Sequence, residues 1–286
     1  MPLIRRLAII GVGLIGGSLA RALRERGEVG EVVGIGRGEA NLRRAVELGV
    51  IDRYEHDPAA GVAGCDLVFV STPVCTIVPI TAAIAPALAP GCIVTDGGSV
   101  KGEIVSACER LMPAGVHFVG GHPIAGTEHT GVEASFASLY RGRRCIVTPT
   151  TVTDRSALDK VVRMWELAGS EVVVMDVAKH DRVVAAISHL PHMVAYSLVN
   201  AVDGYDRLDE SILKYSAGGF RDFTRIASSD PVMWRDIALM NRECVLELMD
   251  HFTAYFAELR TLVAAGDGEG LQRFFAESKT SRDAIL

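Results

Sequence analysis

The sequence predicts a doubly wound α/β sheet domain followed by an all-helical domain. Short β-branched runs alternate with helical patterns over the first 175 residues, which is typical of a parallel sheet with crossover helices. Beyond residue 178 no convincing strand pattern occurs, and apolar residues recur at helical spacing over 179–203 and 231–265. We therefore place the two domains at 1–175 and 176–286.

The strands of the predicted sheet are short and rich in Val and Ile. Five parallel strands are expected at residues 7–10, 31–35, 66–71, 92–96 and 117–119. Two further strand candidates, 144–148 and 171–175, flank a helical pattern over 155–168. The sheet is therefore predicted to extend to about residue 175.

Composition excludes several classes of function. The chain has 286 residues, of which 49% are hydrophobic and 22% charged, enough for a large core in each domain. A net charge of −6 and the lack of a Lys/Arg run argue against nucleic acid as a partner. No uninterrupted apolar run reaches the ~18 residues expected of a membrane helix. Six cysteines without a CxxC pair favour a reducing cytoplasm.

A glycine-rich segment directly follows the first predicted strand and opens a helix. Gly11 permits a tight turn, Gly13 lets a pyrophosphate approach the backbone, and Gly16 allows close packing of the helix on the sheet. The first helical residues, Leu14 and Ile15, present N–H groups to the anion. This context predicts a Rossmann-like domain that binds NAD or NADP.

The end of the second strand bears on the choice of dinucleotide. An acidic residue about 20 positions beyond the glycines would bind the ribose 2′-hydroxyl of NAD, but this chain has Gly36 and Arg37 there. A guanidinium without a neighbouring carboxylate favours the 2′-phosphate of NADP, and Arg43 and Arg44 could assist. The alternative is that Arg37 is a solvated surface charge.

Two more loops follow strands at the edge of the sheet where such folds bind their ligands. Ser71, Thr72 and Pro73 could approach a nicotinamide ring closely, although ordinary turn chemistry explains the last two equally well. In the second loop, Ser99 could hydrogen-bond a reacting hydroxyl or the base. Lys101 could contact phosphate, hold a loop carbonyl or face solvent.

The segment 121–128, GHPIAGTE, contains a titratable base among residues expected to form neither helix nor strand. Histidine has an unperturbed pKa near neutrality, so His122 could take up a proton during a reaction and return it afterwards. A turn with an incidental histidine is the alternative for an isolated His-Pro pair. The nucleotide-binding context favours catalysis.

The helical domain offers polar groups within apolar segments. Ser188 and His192 are four residues apart and share a helix face. Either they form a hydrogen-bonded core feature or they line a substrate pocket; a metal site is disfavoured because no HExxH pattern or cysteine cluster accompanies them. Arg221 or Arg225 could bind a carboxylate of an organic acid through two hydrogen bonds.

The stretch 234–262 is apolar on more than one face, which a single surface helix would not tolerate in water. Packing against a second subunit would cover the additional apolar surface. The sequence therefore predicts a homodimer formed through the helical domain.

Several motifs together resemble the prephenate and arogenate dehydrogenase family of tyrosine biosynthesis. They are GVGLIGGS, STPV, DGGSVKG, GGHPIAGTEHTGVEAS, SHLPH and GGFRDFTRIASSDPVMWRDI, and they extend from residue 7 to beyond residue 236. The resemblance implies a Rossmann-like domain, an all-helical dimerisation domain, an active site between them, and oxidative decarboxylation of a cyclohexadiene with NAD(P). Many NAD-using members have Asp where this chain has Gly36.

The same resemblance implies roles for particular residues. The catalytic histidine is His122 and its hydrogen-bonding serine is Ser99. The implied substrate contacts are Thr127, Ser188, His192 and Arg225. Glu128 and Asp222 are implied to form an ionic gate, and Trp234 is an aromatic residue near the site. The alternatives are another hydroxyacid or imine dehydrogenase of this fold, or a dinucleotide-sensing protein without turnover.

Overall fold

The computed structural model describes residues 1–127, 129–206 and 212–285. Its N-terminal part is an eight-stranded sheet with the order β3-β2-β1-β4-β5-β6-β7-β8, and its C-terminal part is helical. The strands are β1 Ile4–Ile10, β2 Val29–Ile35, β3 Arg53–Glu55, β4 Leu67–Val70, β5 Ile93–Asp96, β6 His117–Pro123, β7 Arg144–Thr148 and β8 Glu171–Val174. The predicted fold class is confirmed.

Helices cover both faces of the sheet and build the second domain. Those of the first domain are α1 Leu14–Glu25, α2 Glu39–Glu47, α3 Pro58–Val62, α4 Val74–Ile84, α5 Gly102–Leu111 and α6 Arg155–Ala168. Those that follow are α7 Val177–Val184, α8 Leu190–Asp206, α9 Gly218–Thr224, α10 Pro231–Met240, α11 Arg242–Ala265 and α12 Gly268–Asp283. A π-helical segment, Ala185–His189, joins α7 to α8.

The sheet is parallel from β3 to β6, but β7 pairs antiparallel to β6 and β8 pairs parallel to β7. The five strands predicted to be parallel are so, and the sheet becomes mixed at the edge formed by the two further strands. The connection after β6 contains only a 3₁₀ turn, Val132–Ala134, among its described residues. Without a crossover helix between them, consecutive strands pair antiparallel. Strand β3 escaped prediction because its three residues, RYE, are polar and half-buried.

His122 lies on a strand, which corrects the prediction that its segment is a loop. The parallel pairing of β6 with β5 ends at Val119, but the antiparallel pairing with β7 continues, so that His122 faces Ile146 in the ladder. The Gly-Gly-His-Pro stretch is thus held by backbone hydrogen bonds on one side. A side chain on a strand is positioned more rigidly than one on a loop.

Two apolar clusters fill the space on the two faces of the sheet, and the second one joins the domains. Trp234 and Ile237 of α10 are buried in the cluster that also contains Ile77 of α4 and Ile104 of α5. Burial of α10 against the sheet domain fixes the helical domain at the carboxyl ends of the strands. The polar residues of both domains consequently meet at that edge.

The far end of the helical domain leaves a broad apolar face uncovered. Helix α11 buries only Val245 completely. Large apolar side chains on α11 and α12 stay exposed: Leu246, Met249, Phe252, Tyr255, Phe256, Val263 and Phe275. Exposed apolar side chains gathered on two packed helices are typical of an interaction surface.

One helical run, Val177–Tyr205, is long and apolar enough to cross a membrane on length and composition alone. The run includes α7, the π-helical segment and α8. It carries three buried polar side chains, His180, Asp181 and His189, and it contacts α5 and α11. Core helices of globular domains meet the same length and composition criteria.

Candidate functional site

A cavity of about 750 Å³ lies at the carboxyl ends of β1, β2 and β4. This is the crevice in which open α/β sheets bind their ligands. Its walls come from three predicted loops, with these predicted residues among the lining: Gly11, Gly13, Gly36, Arg37, Ser71, Thr72 and Pro73. Leu14 and Ile15 follow immediately in the first turn of α1.

The glycines of the first loop have the geometry that a bound pyrophosphate needs. Gly11 has φ +94°, and a Cβ there would lie 2.7 Å from the carbonyl oxygen of Ser71. A Cβ on Gly16 would lie 2.6 Å from the carbonyl oxygen of Gly11, so no side chain fits between helix and sheet. A Cβ on Gly13 would meet nothing within 4 Å, which leaves its backbone open to a ligand. These residues therefore fit a dinucleotide.

The loop after β4 is tied to the glycine turn. Ser71 Oγ donates a hydrogen bond of 2.8 Å to the carbonyl oxygen of Gly11, and Thr76 Oγ1 donates one of 2.8 Å to Thr72 Oγ1. Because Ser71 and Thr76 hold these loops from within, the wall of the cavity is formed before any ligand binds. Pro73 occupies the N-cap position of α4.

Three arginines near the end of β2 differ in whether they form ion pairs with other residues of the protein. Arg43 forms an ion pair with Glu39 on its own helix, and Arg44 pairs with Glu47 and Glu133. Arg37 is exposed and lines the cavity. Of these three arginines, Arg37 is the one that lines the dinucleotide crevice.

His122 is hydrogen-bonded to a second histidine. Its Nδ1 lies 2.8 Å from Nε2 of His180, and Nδ1 of His180 lies 2.7 Å from Oδ1 of Asp181. Burial, followed by the proximity of His180, Lys101 and His189, holds the pKa of His122 well below its usual value. His122 is therefore neutral at neutral pH and able to accept a proton.

Asp181 anchors this chain of side chains. Its Oδ1 accepts the backbone N–H of Lys101 at 2.9 Å and its Oδ2 accepts that of Gly102 at 2.8 Å. Burial alone would raise the pKa of Asp181, but the hydrogen bonds from His180 and from these two amides together lower it. Asp181 is consequently an ionised carboxylate that joins α7 to the start of α5.

Lys101 is fully buried and paired with Asp96, so of the three roles left open for it the solvent-facing one is wrong. The Lys101 ammonium contacts Asp96 Oδ2, and both side chains are 0% exposed. The pattern DGGSVK gave no sign of this pairing because Asp96 ends a strand and Lys101 precedes a helix. Burial of the ammonium required a partner at the same depth.

Asp96 also links the Ser99 loop to the strand of His122. Its Oδ2 accepts the N–H of Gly98 at 2.9 Å, and its Oδ1 accepts the N–H of Gly121 at 3.1 Å. Ser99, which is half-buried, therefore sits in a loop fixed to the same carboxylate as the residue preceding His122. A Cβ on Gly121 would lie 2.8 Å from the carbonyl oxygen of Asp96, so only glycine fits there.

The helical domain contributes an aromatic stack. His192 packs on Trp234 with ring centroids 3.5 Å apart, and its Nδ1 donates to the carbonyl oxygen of Ser188 at 2.8 Å. Burial and the nearby Arg225 lower the pKa of His192, opposed by the bond to Ser188. Ser188, His192, Arg225 and Trp234 are thus neighbours, as predicted from spacing for the first two.

Three other predicted residues lie in more open positions. Thr127 is exposed and its Oγ1 accepts the N–H of His129 at 3.2 Å. Asp222 and Arg225 are also exposed. Glu128 lies outside the described residues, so its pairing with Asp222 stays a prediction.

Sequence reasoning missed His180 and Asp181, although a signal was present. Positions 177, 180, 181, 184 and 185 share one face of α7 and its continuation, and that face is otherwise apolar. Two adjacent ionisable residues on a buried face indicate a satisfied polar network. In the described part of the chain, no group of three or more His, Cys, Asp or Glu side chains could hold a metal ion.

A glycine-lined crevice at the carboxyl ends of β1, β2 and β4, with a neutral histidine near the carboxyl end of β6 in the same sheet, defines an oxidoreductase of the NAD-binding Rossmann class. Family models narrow this class. Residues 19–174 match "Prephenate dehydrogenase, nucleotide-binding domain" and residues 176–277 match "Prephenate dehydrogenase, dimerization domain". The chain belongs to the prephenate dehydrogenase family, which confirms the predicted resemblance.

Full-length relatives agree with the family models. The chain is 38% identical to the cyclohexadienyl dehydrogenase of Zymomonas mobilis over 100% of this chain and 97% of the relative. It is 40% identical to a solved prephenate dehydrogenase from A. aeolicus in complex with hydroxyphenyl propionate and NAD+, with a TM-score of 0.93 over 99% of this chain and 98% of that one. A Synechocystis arogenate dehydrogenase gives 31% identity and a TM-score of 0.84, covering 98% and 100%.

Proposed function

We propose that this protein catalyses the oxidative decarboxylation of prephenate to 4-hydroxyphenylpyruvate, of arogenate to tyrosine, or of both, with NAD(P) as acceptor. The observation that carries the proposal is the neutral imidazole of His122, fixed on a strand at the ligand-binding edge of a dinucleotide-binding sheet. Membership of the prephenate dehydrogenase family supports the substrate class. The two alternative functions gain no support from the relatives.

In the proposed mechanism His122 accepts the proton of the C4 hydroxyl of the cyclohexadienol. A dinucleotide held in the crevice would accept the hydride from C4, so that the C4–H bond breaks as the C4=O bond forms. The ring carboxylate then leaves as CO₂, because its bonding electrons complete an aromatic ring and place negative charge on the C4 oxygen. The proton held by His122 can return to that oxygen, so the proton balance closes within the site.

Substrate binding is assigned to both domains. Arg225 holds a substrate carboxylate, and Ser99 orients the reacting hydroxyl. Around them we place four further contacts: Thr127, Ser188, His192 and Trp234. Glu128 and Asp222 form the proposed ionic gate. Support comes from the stacking of His192 on Trp234 and from the proximity of Arg225 to His192.

For the dinucleotide we propose a preference for NADP. Gly36 leaves no carboxylate at the end of β2 to repel a 2′-phosphate, and the guanidinium of Arg37 lines the crevice. Arg43 and Arg44 are engaged by glutamates and contribute less. The A. aeolicus relative was solved in complex with NAD+.

We further propose a homodimer in the cytoplasm, formed through the helical domain. The match to the family's dimerisation domain and the exposed apolar face of α11 and α12 support this assembly.

Steady-state kinetics of the purified protein, with prephenate and arogenate each crossed with NAD and NADP, test the function and the preference together. We expect turnover with at least one cyclohexadienyl substrate and a higher kcat/KM with NADP. Arg37→Ala should lower kcat/KM for NADP by about tenfold and leave that for NAD unchanged. Arg43→Ala, which removes an engaged guanidinium, is the matched control. No turnover with either substrate would refute the function, and a strong NAD preference would refute the reading of Arg37.

A further inference from the structure

The second histidine and the carboxylate behind His122 form a unit that the proposed reaction does not itself require. His180 is completely buried and its neighbour Asp181 nearly so. Both come from α7 of the helical domain, whereas His122 comes from β6 of the sheet domain. A buried chain of three ionisable side chains across a domain boundary is costly unless each hydrogen bond is satisfied.

Hydrogen-bond directions along this chain follow from the carboxylate end. The ionised Asp181 can only accept, so Nδ1 of His180 donates to it at 2.7 Å. With one proton on the His180 ring, already used in the bond to Asp181, the other nitrogen carries the lone pair, so Nε2 of His180 accepts. The hydrogen on the 2.8 Å bond must therefore belong to Nδ1 of His122.

We propose that His180 and Asp181 are positioning residues that fix the tautomer of His122, with the proton on Nδ1 and the lone pair on Nε2. This inference rests on the proposed function, since it assigns Nε2 as the nitrogen that takes the substrate proton. The other tautomer would present an N–H to the substrate hydroxyl and could not act as a base.

The ring geometry supports a directional bond rather than a stacked contact. The imidazoles of His122 and His180 are inclined at 67° with centroids 5.1 Å apart. The edge of one ring therefore points at the other, which suits a lone pair and an N–H in line.

The anchoring of Asp181 explains how the direction of the hydrogen bonds from His122 through His180 is maintained. Its two oxygens accept backbone N–H groups from Lys101 and Gly102, so the carboxylate cannot rotate away from His180. The same backbone continues from the loop of Ser99. The base, its orienting pair and the serine loop are thus held as one unit across the two domains.

The charge balance of the proton-transfer step is also accounted for. When Nε2 of His122 takes a proton from the substrate hydroxyl, the O–H bond breaks, an N–H bond forms and the imidazole becomes a cation. The Lys101 ammonium lies near His122 and opposes this charge, while Asp181 provides a compensating anion through His180. The arrangement resembles the role of the carboxylate in hydrolase triads, which orients and stabilises a histidine without being protonated.

Selective ¹⁵N labelling of histidine and long-range ¹H–¹⁵N NMR of the full-length protein report the tautomer directly, without reference to turnover. We expect His122, assigned by comparison with His122→Asn, to show a protonated Nδ1 and a bare Nε2. His180→Leu removes the acceptor and should release the Nε2–H tautomer. His180→Gln, whose amide oxygen can accept, should largely retain the wild-type tautomer.

Kinetics of the same variants provide the second readout. His180→Leu should lower kcat by about 10²-fold with little change in KM, and His180→Gln should recover much of that loss. The matched control is His117→Gln, a half-buried histidine at the amino end of the same strand, β6; its kcat should stay within about threefold of wild type.

Two results would overturn the inference: an Nε2–H tautomer of His122 in the wild type, or a His180→Leu variant with unchanged tautomer and kcat. Should His180→Leu fail to fold, the wild-type spectrum and His180→Gln still decide the question. A wild-type protein without turnover would instead count against the proposed function, and the tautomer would remain measurable. The two failures are therefore distinguishable.

Discussion

Replacement of the buried Lys101 tests whether the pair with Asp96 holds the active-site edge together. In Lys101→Met the ammonium is lost but the side chain keeps a similar length. Asp96 then remains as a buried carboxylate with only two backbone donors, Gly98 and Gly121. The variant therefore leaves an unpaired charge at full burial.

The expected cost follows from the burial of both partners. Loss of one member of a buried ion pair destabilises a protein by about 3–5 kcal/mol. Because Asp96 keeps its hydrogen bonds from two backbone N–H groups, we expect a value near the lower end of this range. A change of about 3 kcal/mol corresponds to a fall in Tm of roughly 6–12 °C for a domain of this size. The double variant with Asp96→Asn should lose less than the sum of the two single variants, since neither charge is then left alone.

Urea unfolding of the four proteins of this double-mutant cycle, followed by circular dichroism, provides the free energies of unfolding. Arg155→Met serves as the control because Arg155 forms an exposed i,i+4 pair with Asp159, and we expect no measurable change. A loss of less than about 1 kcal/mol for Lys101→Met, or strict additivity in the cycle, would refute the reasoning.

Three further outcomes are expected. The free energy of unfolding should fall with pH below about 6.5, because burial lowers the pKa of His189 to about 4 while the unfolded chain binds protons from 6.5 downward. The loss of unfolding free energy reaches about 3 kcal/mol by pH 4 and should be smaller in His189→Gln. Urea unfolding at several pH values measures it, and the same pH dependence in wild type and variant would show that His189 is not its source. Gly121→Ala should lower kcat but retain dinucleotide binding, because the new Cβ would lie 2.8 Å from the carbonyl oxygen of Asp96. Its control is Gly204→Ala, where a Cβ meets nothing within 4 Å, and this variant should have normal kinetics. Arg225→Ala should raise KM for the cyclohexadienyl substrate by about 10- to 100-fold, matching a charge-assisted hydrogen bond, and an unchanged KM would remove Arg225 from the pocket.

The dinucleotide crevice could be predicted from sequence because its determinants are local. Gly11, Gly13 and Gly16 act within one strand-turn-helix unit, and their spacing reflects the close contacts that the structure shows. The helical nature of the second domain was equally accessible, since hydrophobic periodicity is a local signal.

The polar network behind the base could not be predicted in the same way. Lys101 and Asp96 are five residues apart, but their burial depends on how the loop after β5 packs against β6. His180 reaches His122 across 58 positions of sequence, and only the docking of α7 on the sheet domain brings them together. The antiparallel return of β7 likewise depends on strand pairing, which leaves no mark in either strand's own sequence.

Kinetics of His122→Asn, with dinucleotide and substrate binding measured separately by fluorescence and calorimetry, test the central claim that His122 is the catalytic base. Loss of a general base should lower kcat by roughly 10²–10⁴-fold while both binding constants stay close to those of the wild type. A near-normal kcat in a correctly folded His122→Asn variant would contradict the account.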